Sequence, residues 1–77
     1  MGAKLPLLKP RAVLRVLLRA GFYVHHQSGS HAQLRYVTKL HLRVTVPRRD
    51  RFDLSRPVLR SILQQAELAV DEFIALL

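Results

Sequence analysis

Phe22-Tyr23-Val24-His25-His26-Gln27-Ser28-Gly29-Ser30-His31-Ala32-Gln33-Leu34-Arg35-Tyr36 is the stretch on which the fold turns. Before it the apolar residues recur at helical spacing; within it they alternate, and the period of two is that of a strand. Phe22, Val24 and His26 fall on one side, and Tyr23, His25 and Gln27 on the other. This alternation places His26 on the apolar side, partly buried. It also sends His25 and His26 to opposite faces, so that they cannot chelate as a local pair. Ser28-Gly29-Ser30 is a turn signal. Beyond it Ala32, Leu34 and Tyr36 alternate with His31, Gln33 and Arg35, which makes a second strand. Tyr36 belongs to the apolar face, which leaves Tyr23 as the better base-stacking candidate.

Working outward, Leu40, Leu42, Val44 and Val46 alternate with His41, Arg43 and Thr45 up to Pro47, and predict a third strand over 40–46. Facing residues of a hairpin share a side of the sheet. The second and third strands must therefore pair residues whose numbers add to an even value such as 76 or 78, with His31 and Arg35 on the face of His41 and Arg43. Upstream, Val13, Leu14, Leu17 and Leu18 form the stripe of an amphipathic helix from Pro10 to Ala20, closed by Gly21. Its other side carries Arg11, Arg15 and Arg19 at i, i+4 and i+8, either a track for a phosphate backbone or an ordinary solvated face. Downstream, Pro47–Asp53 is charged and irregular. Ser55 is a candidate N-cap, and Val58, Leu59, Ile62, Leu63 and Ala66 line a second helix. A last helical turn carries Val70, Phe73, Ile74 and Leu77. The expected class is α+β: helix, three antiparallel strands, helix, with both helices on the Leu/Val face of the sheet and the His/Arg face open.

The 77 residues read as one domain, residues 1–77, close to the smallest size at which a core holds without staples. There is no cysteine, which excludes disulfides, thiolate metal sites and a cysteine nucleophile. Four histidines with no carboxylate or thiolate near them make a poor zinc signature, so neither metal nor cofactor is expected. Glu67, Asp71 and Glu72 cluster at the C-terminal end as a solvated face. Thirteen Lys and Arg against five Asp and Glu give a formal charge of +8, which points to a polyanionic partner. No apolar run approaches a membrane span, and Met1–Leu8 is too short for a secretory signal, so a cytoplasmic location is expected.

Two groups of residues carry more than a pattern. Ala20-Gly21-Phe22 precedes Gln27-Ser28-Gly29-Ser30-His31; Val44-Thr45-Val46-Pro47 precedes Leu59-Arg60-Ser61-Ile62-Leu63-Gln64-Gln65-Ala66 and Asp71-Glu72-Phe73. Together they resemble the HicA, or YcfA-like, family of mRNA interferase toxins, from about Pro10 to the C-terminus. The resemblance implies a double-stranded-RNA-binding-like fold, cleavage of mRNA, and silencing by a HicB antitoxin encoded alongside. It places the catalytic histidine of the family on His31. Three departures from the family pattern stand out. Arg49 stands where many relatives have histidine, which bears on any second-histidine mechanism at that position. Pro57-Val58 replaces Gly-Thr and Glu67 replaces the glycine of Ala-Gly-Leu, which concern how the second helix begins and ends.

Metal-free RNA cleavage needs a base for the 2′-hydroxyl proton, an acid for the leaving 5′-oxygen and cations for the charge that develops on phosphorus. An imidazole suits the proton steps because it titrates near neutrality. With His31 as the catalytic residue, the candidate RNA contacts are Arg11, Arg15, Arg19, Tyr23, Ser30, Arg35, His41 and Arg43, with Arg35 and His41 also candidates for the second proton transfer. The alternative of a different class is a module that binds RNA without cutting it.

Overall fold

The computed structural model describes residues 4–77; the first three residues of the Met1–Leu8 stretch lie outside the described residues. The elements are α1 (Pro10–Arg19), β1 (Phe22–Gln27), β2 (His31–Tyr36), β3 (Arg43–Pro47), α2 (Arg56–Ala66) and α3 (Val70–Ala75). The three strands form one antiparallel sheet in the order β1-β2-β3. Both long helices lie on its apolar face, α1 against β1 and β3 and α2 against β3. The α+β layout expected from periodicity is the one found.

Pro10 opens α1 in the first turn, where its missing N–H is no loss. Gly21 follows the helix at φ +108°, a conformation L side chains rarely adopt, and swings the chain into β1. The buried side of α1 is Pro10, Val13, Leu14, Val16 and Leu17, whereas Leu18 is 50% exposed. Val16 and Leu18 flank the stripe on opposite sides, and the fold covers only the flank of Val16. Ser55 caps α2 by accepting a hydrogen bond from Val58 N–H, 3.4 Å, and Leu59, Ile62, Leu63 and Ala66 enter the core. Val58 stays at the surface. Glu67 then turns the chain at φ 55°, ψ 39°, and α3 drives Phe73 into the core with no exposed surface.

β2 and β3 pair His31 with Pro47, Leu34 with Val44 and Arg35 with Arg43, the register in which residue numbers add to 78. The third strand starts later than its alternation suggests. Leu42 N–H donates to the Lys39 carbonyl, 3.0 Å, in a turn that ends the ladder at Arg43 and leaves Leu40 exposed. β1 departs further. Val24 pairs with Leu34, but His26 pairs with Gln33 and Gln27 with Ala32, so a bulge at His25 inserts one extra residue. Alternation is broken there. His26 stands on the face of Gln33, exposed, contrary to the partial burial expected of it. The ring of His25 lies 6.5 Å from that of Tyr23, which opposes Arg35 on this same face, so the two histidines do not point to opposite sides.

Candidate active site and nucleic-acid interface

The turn between β1 and β2 is built around Ser28. Its hydroxyl accepts from His31 N–H at 3.1 Å and from Ser30 N–H at 3.4 Å, while Ser28 N–H donates to the His31 carbonyl at 2.9 Å. These bonds fix the backbone of His31 at the first position of β2. The side chain is held as well, by 3.0 Å between Ser30 Oγ and His31 Nδ1. Nε2 is left unengaged and exposed. When Nδ1–H donates to the hydroxyl, Nε2 carries the lone pair of a base; in the protonated ring both nitrogens donate and Nε2–H is an acid. A Cβ placed on Gly29 would meet nothing within 4 Å, so the turn has open space at this residue.

A second tie joins this turn to the end of β3. Arg48 N–H donates to the Ser30 carbonyl at 2.7 Å. The Arg48 guanidinium grips Asp50 in a fork, Nε to Oδ1 at 2.9 Å and NH2 to Oδ2 at 2.6 Å, and reaches Gln27 Oε1 at 3.3 Å. That fork, reinforced by the charges of Arg48 and Arg11, holds the Asp50 carboxyl below the usual carboxylate range against a small cost of burial; the same bond to Asp50 raises Arg48. The loop so braced forms a cavity of 240 Å³ lined by Arg48, Arg49, Asp50, Arg51 and Phe52, the Phe52 side chain 65% exposed. None of Arg48, Asp50 or Phe52 stands out in the sequence beyond a charged, irregular stretch. The i, i+2 spacing of Arg48 and Asp50 was the signal present.

The remaining residues of the open face form rows across the sheet. Tyr23, Arg35 and Arg43 make one row, and His26, Gln33 and Thr45 the next toward His31. Arg35 and Arg43 place like charges directly opposite each other, an unfavourable pairing, and Arg35 Nε is buried with no hydrogen-bond partner. His41 does not join the face. It lies in the turn before β3, where Nε2 is 3.4 Å from Glu67 Oε2, and the ~17 Å length of β2, at about 3.3 Å per residue, separates this end from His31. The expectation that His41 shares a face with His31 is therefore corrected: Leu42 is spent on the turn, and the imidazole lies beside Glu67. Arg11, Arg15 and Arg19 are exposed on the outward side of α1, the opposite layer from the open face, with Arg19 donating to the Leu76 carbonyl at 2.7 Å. Among the described residues no three His, Asp or Glu side chains are grouped so as to hold a metal ion.

The model of the family described as HicA toxin of bacterial toxin-antitoxin matches residues 10–68, from the start of α1 to just past α2. The chain belongs to the HicA toxin family. As a HicA toxin it is the toxin member of a bacterial toxin–antitoxin pair and has an antitoxin as its partner. The HicA match takes in the whole sheet and the Ser28–His31 turn and stops before α3, although Phe73 of α3 is part of the core. No curated protein matches the chain. Among the described residues no helix is long and apolar enough to cross a membrane.

Proposed function

We propose that this HicA toxin is an endoribonuclease that binds mRNA on the open face of the sheet and cleaves it with His31, without a metal. The observation that carries the reading is the presentation of His31: backbone fixed by Ser28, Nδ1 held by Ser30, and the side chain exposed with Nε2 unengaged. In the reaction Nε2 takes the proton of a ribose 2′-hydroxyl. The 2′-oxygen then bonds to the adjacent phosphorus, the bond from phosphorus to the 5′-oxygen breaks, and that oxygen leaves with the electron pair and gains a proton. The products are a 2′,3′-cyclic phosphate and a 5′-hydroxyl. Arg35 and Arg43 would hold a phosphate along the strand from the cleaved one, with Tyr23 beside them for a base. Arg49 and Arg51 flank an exposed phenylalanine, a combination that suits a nucleotide on the other side of His31. Arg11, Arg15 and Arg19 would add to long-range attraction of RNA from the far layer.

The antitoxin of this reading is a HicB-type protein that covers the basic open face, and the place of action is the cytoplasm, where mRNA is found. The test is incubation of the wild type and of His31→Ala with a long unstructured RNA in EDTA. Fragments formed by the wild type alone support the proposal. If both proteins bind RNA and neither cuts it, the fold serves as an RNA-binding module instead.

A further inference from the structure

The bulge in β1 does more than break a pattern. Ser28 opposes His31 at the turn, since Ser28 N–H donates to the His31 carbonyl, and His26 opposes Gln33 two residues along β2. His26 and His31 are thus diagonal neighbours on one face, where such pairs stand roughly 7–8 Å apart with their Cβ atoms somewhat closer. That gap admits one phosphodiester with an imidazole on either side. Unbroken alternation would have turned His26 to the other face; the extra residue, His25, re-aims it, a use of bulges that recurs beside active sites. His25 itself is occupied edge-on near Tyr23, 6.5 Å between ring centroids. The groups around His26 are the uncharged Ser28 and Gln33, His31, and, through Gln27, the guanidinium of Arg48 already forked onto Asp50.

We infer that His26 is the general acid of the cleavage, a role left open by the removal of His41 from the face. This rests on the ribonuclease reading. His31, neutral, accepts the 2′-hydroxyl proton at Nε2. As the bond from phosphorus to the 5′-oxygen breaks, protonated His26 gives its N–H proton to the departing oxygen, and both rings return to their starting forms by exchange with water. No co-reactant is needed.

A substrate whose leaving 5′-oxygen is replaced by sulfur tests this, because a thiolate departs without a proton. With ordinary RNA, His26→Gln should slow cleavage by about 10²- to 10⁴-fold, the usual worth of one proton transfer. With the 5′-thio substrate, His26→Gln and the wild type should cleave at nearly equal rates, while His31→Ala stays slow on both. Because His26 is exposed, the variant should melt like the wild type. Equal slowing of His26→Gln on both substrates would assign it a structural part and overturn the inference, as would unaltered cleavage of RNA. A wild type that cuts neither substrate would instead remove the ribonuclease reading, and this role for His26 with it.

Discussion

Two glycines of the resemblance, Gly21 and Gly29, have different physical reasons for being there, and alanine substitution separates them. At Gly21 the φ of +108° costs a residue with a side chain about 1–3 kcal/mol of strain. A Cβ there would also stand 2.8 Å from Tyr36 Cε1, 2.9 Å from its hydroxyl oxygen and 3.0 Å from Cζ. The ring cannot easily yield, because Phe22 packs edge-on against it with centroids 5.0 Å apart; such overpacking costs about 1–3 kcal/mol more. Stiffening of the unfolded chain returns about 0.4–1 kcal/mol, so Gly21→Ala should lose about 1–5.6 kcal/mol, with about 3 kcal/mol at the middle of the range. A 77-residue domain has about 4–12 kcal/mol to lose, and each kcal/mol moves the melting temperature of a domain this size by about 4–8 °C. Thermal unfolding followed by circular dichroism should therefore show Gly21→Ala melting about 12–24 °C below the wild type for the middle of that range, with part of the loss recovered in a Tyr36→Val background. Gly29 has neither the positive φ nor a neighbour, and Gly29→Ala should melt with the wild type. If Gly21→Ala melts within a few degrees of the wild type, the account of this glycine is wrong. A Gly29→Ala protein that melts normally but cleaves slowly would mark Gly29 as lying on the path of the RNA.

Other consequences are more local. Ser30→Ala removes an exposed hydrogen bond worth about 0.5–1.5 kcal/mol from the His31 ring, so single-turnover cleavage should slow by about 2- to 10-fold with no change in melting; loss of folding would contradict the positioning role. Glu67→Gly should raise the urea midpoint by the equivalent of about 0.5–1 kcal/mol, because glycine sits at φ 55° without strain and the exposed pair with His41 is worth little; a lower midpoint would refute it. Asp50 titrates below the usual carboxylate range when folded, so its contribution to stability is present above the unfolded-state value and is lost as pH falls through the folded one. The melting temperatures of the wild type and Asp50→Asn should differ near neutrality and converge in acid, whereas a constant gap would exclude the Arg48 fork as the cause. With no tryptophan in the chain, Phe52→Trp gives a single reporter whose fluorescence RNA should quench; an unaltered spectrum on saturation would take this loop out of the interface.

Hydropathy made much of this fold legible. The alternation in β2 and β3 carried the pairing of His31 with Pro47 and Arg35 with Arg43, because only an even register keeps Leu34 and Val44 together on the buried face. What hydropathy could not register was a displacement among polar residues: with exposed side chains from Tyr23 through Gln27, one extra residue in β1 costs no burial and leaves no trace in the pattern. The same holds for His41, whose alternating neighbours continue a strand on paper while a backbone turn at Lys39–Leu42 has already ended it. Resemblance singled out His31, which periodicity alone reads as a surface histidine, and it flagged Glu67, whose left-handed conformation suits the glycine of the family pattern. The Arg48 fork left only a weak trace, the i, i+2 spacing of Arg48 and Asp50, which Arg51 and Asp53 repeat a few residues on in the same charged loop.

The row of Arg35 and Arg43 has a practical side. Two guanidinium groups facing each other, one with an unpartnered buried nitrogen, make a surface on which any polyanion relieves a repulsion. Nucleic acid carried over from the host cell would therefore stay with the protein through low-salt purification and leave only as ionic strength rises. With two tyrosines and no tryptophan the chain absorbs weakly at the usual ultraviolet wavelength, so even a trace of such cargo would dominate the spectrum and inflate the apparent concentration. A high-salt wash belongs before any activity, binding or melting measurement on this protein.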